Sequence, residues 1–126
     1  MQYKNVDKRI DKMKWKTTDF EVSVGGRKRV WDNFPTVNER TNYAIQATGA
    51  DILKEALVMV EKKWLRTGKA KIVLSVHDEI VLEVDEKDAK MIAVELKKIM
   101  EKAGRKYLKT VPAIADISVG KNWAAK

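Results

Sequence analysis

Ile72-Val73-Leu74-Ser75-Val76-His77-Asp78-Glu79-Ile80-Val81-Leu82-Glu83-Val84 sets two apolar runs on either side of three ionisable side chains. Both flanks are rich in β-branched residues, and the second alternates, with Ile80, Leu82 and Val84 on one face and Val81 and Glu83 on the other. The pattern predicts a β-hairpin over 71–84 with His77-Asp78-Glu79 at its tip. Such a tip can lift one carboxylate to a sheet edge and hold it on rigid strands, where a divalent metal can use it. Turns are also commonly polar only because they are solvated. Taken alone, one acidic turn favours that second reading.

Working outward, Thr36-Val37-Asn38-Glu39 has the capping-box form, a hydroxyl followed three positions later by a carboxylate. A long helix over 37–67 is expected to follow, with Ile45, Ile52, Ala56, Met59, Val60 and Trp64 on one side and Gly68 as a stop. Its first half carries Ala44, Ala47, Thr48, Gly49 and Ala50. Small side chains permit close approach by another helix or by a nucleic-acid backbone, and Gly49 otherwise costs the helix about 1 kcal/mol relative to Ala. Gln46 lies in this patch. Its amide can donate and accept at once, which suits the minor-groove edge of a base pair, but the local pattern by itself favours a helix-packing role.

Beyond the hairpin, Asp85-Glu86-Lys87-Asp88 opens an amphipathic helix over 86–103. Ala89, Ile92, Ala93, Leu96, Ile99, Met100 and Ala103 form its apolar stripe, and Gly104 ends it. Residues 113–119 read as a last strand, and Gly120-Lys121-Asn122-Trp123 closes the chain. At the other end, residues 1–24 are dense in Lys and Asp, with Ile10, Met13 and Trp15 as scattered anchors, and specify only a short helix poorly. Phe20 to Val24 reads as a strand. Gly25-Gly26 then turns the chain into Arg27-Lys28-Arg29, either a phosphate-contacting loop or an exposed tip without a partner. Val30 to Pro35 is expected to be irregular, with Trp31 and Phe34 as packing anchors. The order predicts a single α+β domain over 1–126, in which a small, mainly antiparallel sheet (hairpin 71–84 plus strand 113–119) is packed by helices 37–67 and 86–103.

The chain has 126 residues, enough to bury a core, and no apolar run near the roughly 18 residues that a membrane span needs. Cysteine is absent, which removes disulfides and thiolate metal sites and fits an intracellular, cytoplasmic protein. Lys and Arg number 26 against 18 Asp and Glu, a formal net charge of +8. That surplus favours polyanions such as nucleic acid, whose counterions are released when basic side chains meet phosphates, although Lys-rich helices also serve as soluble faces.

Four of these segments, in order, resemble the C-terminal end of the polymerase domain of family A DNA polymerases, the bacterial polymerase I type. Gly26-Arg27-Lys28-Arg29 is similar to the family's Gly-Arg-Arg-Arg turn. Asn42-Tyr43-Ala44-Ile45-Gln46-Ala47-Thr48-Gly49-Ala50-Asp51-Ile52-Leu53-Lys54 resembles its Asn-x-Pro-x-Gln-Gly-Thr-Ala-Ala-Asp-x-x-Lys helix. Leu74 to Val84 resembles its third catalytic motif, and Val119-Gly120-Lys121-Asn122-Trp123 its C-terminal signature. The likeness runs from about residue 22 to the end, through segments whose order and spacing are highly specific.

The resemblance implies that this is part of the palm and that Asp78 is one of two aspartates holding catalytic magnesium ions. Hard cations clamping the attacking 3′-oxygen and the leaving pyrophosphate need carboxylates rather than imidazoles. It further implies that Glu79 is an auxiliary acid, that His77 contacts the primer terminus, and that Gln46 and Asn42 line the duplex minor groove, which reverses the local reading of Gln46. Ala44 and Ala47 stand where the family usually has Pro and Gly, and Asn38 stands where it has a DNA-contacting Arg, leaving Arg40 as the nearby candidate. The chain carries no counterpart of the first catalytic motif or of the helix that grips the incoming nucleotide. The expectation is therefore a fragment or subunit of a split or truncated polymerase, inactive alone, with primer-template DNA, dNTP and a complementary polymerase chain as partners. Without such a partner, the small-residue helix face can drive self-association. The alternative is a polymerase-derived, stand-alone nucleic-acid-binding protein without catalysis.

Overall fold

A computed structural model of the chain describes residues 20–32 and 35–124. The expected N-terminal helix and the Phe34 anchor lie outside these residues. Among the described residues the secondary structure follows the α+β expectation: two antiparallel two-stranded sheets and two long helices. The chain divides into two compact units, residues 1–47 and 48–126.

In the first unit, β1 (Phe20–Val22) pairs with β2 (Lys28–Val30), with Phe20 opposite Val30, Glu21 opposite Arg29 and Val22 opposite Lys28. The strand expected to reach Val24 stops at Val22 because buried Ser23 starts the turn. Ser23 receives the Gly26 N–H on its carbonyl at 2.9 Å and the Arg27 N–H on its hydroxyl at 3.0 Å, and it donates its own N–H to the Arg27 carbonyl at 2.8 Å. Gly26 supplies the left-handed residue of this turn, at φ +87°. Helix α1 (Val37–Trp64) begins in this unit. Its capping box forms as the sequence predicts: Glu39 Oε2 accepts from the Thr36 backbone N–H at 2.7 Å and from the Thr36 hydroxyl at 2.8 Å, while the Glu39 N–H donates to Thr36 Oγ1 at 3.3 Å.

In the second unit, α1 tightens into a 3-10 turn (Leu65–Thr67), and Gly68, at φ +67°, ends it. Strands β3 (Ala70–Val76) and β4 (Glu79–Val84) form the predicted hairpin, and α2 (Ala89–Tyr107) follows. Ala56, Val60 and Trp64 of α1, Ala70 of β3, and Ile92, Ile99 and Ala103 of α2 make the buried cluster. Ile72, Ile80, Leu82 and Val84 pack on it from the hairpin, so the predicted apolar face of β4 does turn inward. Ile45, expected on the core side of α1, is instead 68% exposed.

Helix α2 begins three residues later than the 86–103 expectation, because Asp85 to Asp88 form a turn in which the Asp88 N–H donates to the Asp85 carbonyl at 2.9 Å. It also runs through Gly104 instead of stopping there. The missing Cβ at Gly104 serves packing, since any side chain would collide with Ala113. The expected strand 113–119 is not formed. Its backbone is taken up by α2 side chains: Lys97 Nζ donates to the Ala115 carbonyl and the Ala115 N–H donates to Glu101 Oε1 at 3.4 Å. With Ala113 against Gly104, this extended segment lies on a helix and not on a sheet edge, and Ile114 is left 75% exposed.

Candidate functional site

The hairpin tip differs from the sequence expectation in one informative way. Ile72 is opposite Leu82, but Leu74 is opposite Val81, so Val73 is an extra residue in β3. Had the first register continued, Leu74 would face Ile80 and Ser75 would face Glu79, leaving Val76, His77 and Asp78 as a three-residue tip. The slip gives Glu79 the partner Val76 and leaves His77-Asp78 as a two-residue turn. Two-residue hairpins demand a positive φ, and His77 provides it at +53°. A non-glycine residue there stores about 1–2 kcal/mol of strain.

The tip therefore splits the predicted triad. His77 and Asp78 form the exposed turn, while half-buried Glu79 is the first residue of β4. Among the described residues, no three His, Cys, Asp or Glu side chains gather as a metal cage. Asp78 and Glu79 offer hard oxygen donors of the kind magnesium accepts. One or two protein carboxylates suffice for that ion when substrate phosphates and water complete the shell, so the donor set fits part of a site.

The remaining predicted residues lie in the first unit. Successive residues of β2 point to opposite faces. Lys28 sits 3.7 Å from the centre of the Phe20 ring, its diagonal neighbour. Arg29, on the other face, lies 4.0 Å from the centre of Trp31 and 5.6 Å from that of Tyr43. Trp31 and Tyr43 meet edge to face, with centroids 6.2 Å apart. Tyr43 Oη donates to the Arg27 carbonyl at 3.0 Å, and Arg40 pairs with Glu21 at 3.0 Å, so two side chains of α1 hold the hairpin. Asn42 and Gln46 fall one turn apart on α1, and both are exposed. The Glu39 carboxyl is held below its ordinary value by the Thr36 backbone N–H, then by the Thr36 hydroxyl, with a smaller contribution from the Arg29 charge.

Sequence reasoning missed Tyr43, Glu21 and Val73. A single aromatic or acidic residue carries no periodic signal, and a one-residue slip is invisible in a pattern that is apolar on both sides of it.

Comparison with known proteins adds four findings. The chain is 39% identical over 89 residues to DNA polymerase I of Aquifex aeolicus, which covers 70% of this chain and 16% of that protein. It is 32% identical over 92 residues to the DNA polymerase of Bacillus phage SP01, covering 68% of this chain and 10% of that one. Its fold is similar to the POL domain of Pol1 from M. smegmatis, solved in complex with DNA primer-template and dNTP, with a TM-score of 0.71 and 27% identity over 98% of this chain and 22% of that one. The chain thus spans a small part of these relatives, yet its residues 2–125 match DNA polymerase family A, and it is to this family that the chain belongs.

Proposed function

We propose that this chain supplies one metal-binding aspartate and part of the primer-template grip for template-directed nucleotidyl transfer, acting with polymerase segments that carry the other aspartate and the nucleotide-gripping helix. The observation that carries the reading is the slip at Val73, which sets Asp78 in an exposed two-residue turn next to Glu79 while the rest of the hairpin is anchored in the core.

In this reading the primer 3′-oxygen attacks the α-phosphorus of a dNTP, a new P–O bond forms, and pyrophosphate leaves. Asp78 would hold magnesium, with Glu79 beside it; the bound ion supplies neutralisation of the charge on the phosphate oxygens. His77, at the left-handed position, meets the primer terminus. Arg27, Lys28 and Arg29 answer the phosphates, Asn42 and Gln46 read acceptors in the minor groove, and Arg40 contributes through its hold on β1. Primer extension tests this. The chain mixed with one carrying the missing motifs is expected to extend a primer in magnesium, and Asp78→Ala to abolish it; equal extension by that variant would remove the catalytic assignment.

A second reading, a nucleic-acid-binding protein without chemistry, rests on the net charge of +8 and on the exposed Lys28 and Arg29. It predicts salt-sensitive duplex binding that ignores both magnesium and Asp78→Ala.

A further inference from the structure

Arg27-Lys28-Arg29 is a basic triplet, but its members are not equivalent floppy cations. Lys28 is drawn onto Phe20 on one face of the hairpin, while Arg29 is stacked on Trp31 and Tyr43 on the other. A surface arginine with all rotamers open loses up to about 2 kcal/mol of rotamer freedom when it grips a phosphate. Arg29, exposed but already lying on a Trp-Tyr corner, has surrendered part of that freedom before any ligand arrives.

The hydroxyl of Tyr43 goes further than its ring. It donates to the carbonyl of Arg27, the same oxygen that receives the Ser23 N–H, so α1 fastens the turn at the residue where the basic triplet begins. Asn42 immediately precedes Tyr43, and Gln46 lies three residues after it on the same helix. One side chain therefore links the loop suited to phosphates with the helix turn that carries the amides suited to base edges.

We infer that Tyr43 is a positioning residue for duplex binding: through the Arg27 carbonyl and the Arg29 guanidinium it fixes where the basic turn stands relative to Asn42 and Gln46. The ligand chemistry is the phosphate backbone of a nucleic-acid duplex, and the inference rests on the primer-template grip proposed above. Tyr43 itself need touch no phosphate. Its contribution is read in how many phosphates the triplet engages, and how tightly.

The test uses the whole 126-residue chain and a fluorescent primer-template duplex titrated over a series of salt concentrations without magnesium. Tyr43→Phe keeps the ring under Arg29 and removes only the hydroxyl. The expected result is an affinity lower by about three- to tenfold, the worth of one hydrogen bond, and a log K against log salt slope shallower by about one phosphate's share. In an Arg29→Gln background the effect of Tyr43→Phe should shrink, because the two act through one loop. A purely structural role would lower the thermal midpoint and leave the slope at its parental value, and that result overturns the inference. So does a Tyr43→Phe chain that binds like the parent. If the parental chain itself fails to bind at low salt, the primer-template grip falls, and this inference falls with it.

Discussion

Gly104 of α2 and Ala113 of the C-terminal segment approach so closely that a Cβ on the glycine would overlap the methyl group of the alanine. Two buried-face elements thus meet where neither has a side chain to spare. Gly104→Ala should gain helix propensity yet suffer overpacking, for a net loss of about 1–2 kcal/mol. Urea denaturation followed by circular dichroism reads it. A midpoint equal to or above the parent's would mean that the segment slides off the helix without penalty.

His77 adopts φ +53° because a two-residue turn requires it. Replacing it with glycine removes the left-handed penalty and adds freedom to the unfolded chain, so His77→Gly should raise stability by about 0.5–1 kcal/mol. If the imidazole meets the primer terminus, the same variant should extend primers more slowly in the complemented assay. Greater stability with slower extension is the expected pair, and a less stable variant would show that His77 makes a contact worth more than its strain.

The sequence made the β4 face, the capping box at Thr36 and the stop at Gly68 legible, because each is a local rule written in a few adjacent residues. It misled at 113–119, where Ala113, Ala115, Ile117 and Val119 fall at every second position as in a strand but no unpaired edge claims the segment; Lys97 and Glu101 of α2 claim it instead. It also misled at Gly104, which looks like a helix stop until Ala113 is seen against it. Of the candidate site, the identities at the hairpin tip were legible, whereas the split of His77-Asp78 from Glu79 was not. That split is set by Val73, a residue whose neighbours are equally apolar on either register.

Glu39 gives α1 a pH dependence. Its carboxyl is held below the ordinary value of 4.5 by bonds from Thr36 that exist only when the box is folded. A carboxyl with a lowered folded value stabilises the fold above its unfolded value and stops doing so as pH falls through the folded one. The added stability is therefore present above the ordinary value of 4.5 and is lost progressively as pH falls from there through the lowered folded value. In Glu39→Gln, helicity measured by circular dichroism should lose this step between pH 5 and the acid limit of folding. A step of unchanged size would assign it to other carboxyls.

Gly49 sits inside α1 with an ordinary helical φ, and a Cβ there would meet nothing within 4 Å. Neither backbone conformation nor packing among the described residues calls for glycine, although the helix gives up about 1 kcal/mol by having it. Gly49→Ala should therefore stabilise the isolated chain by about that amount. The small surface it leaves on α1 has its use, in the proposed reading, when a duplex backbone comes close. The added methyl group should then weaken primer-template binding severalfold while thermal stability rises, two effects of opposite sign from one substitution. Fluorescence titration and a thermal melt on the same preparation separate them. A chain that is more stable and binds the duplex as tightly as the parent would place Gly49 outside the interface and leave Asn42, Gln46 and the basic turn to hold the duplex.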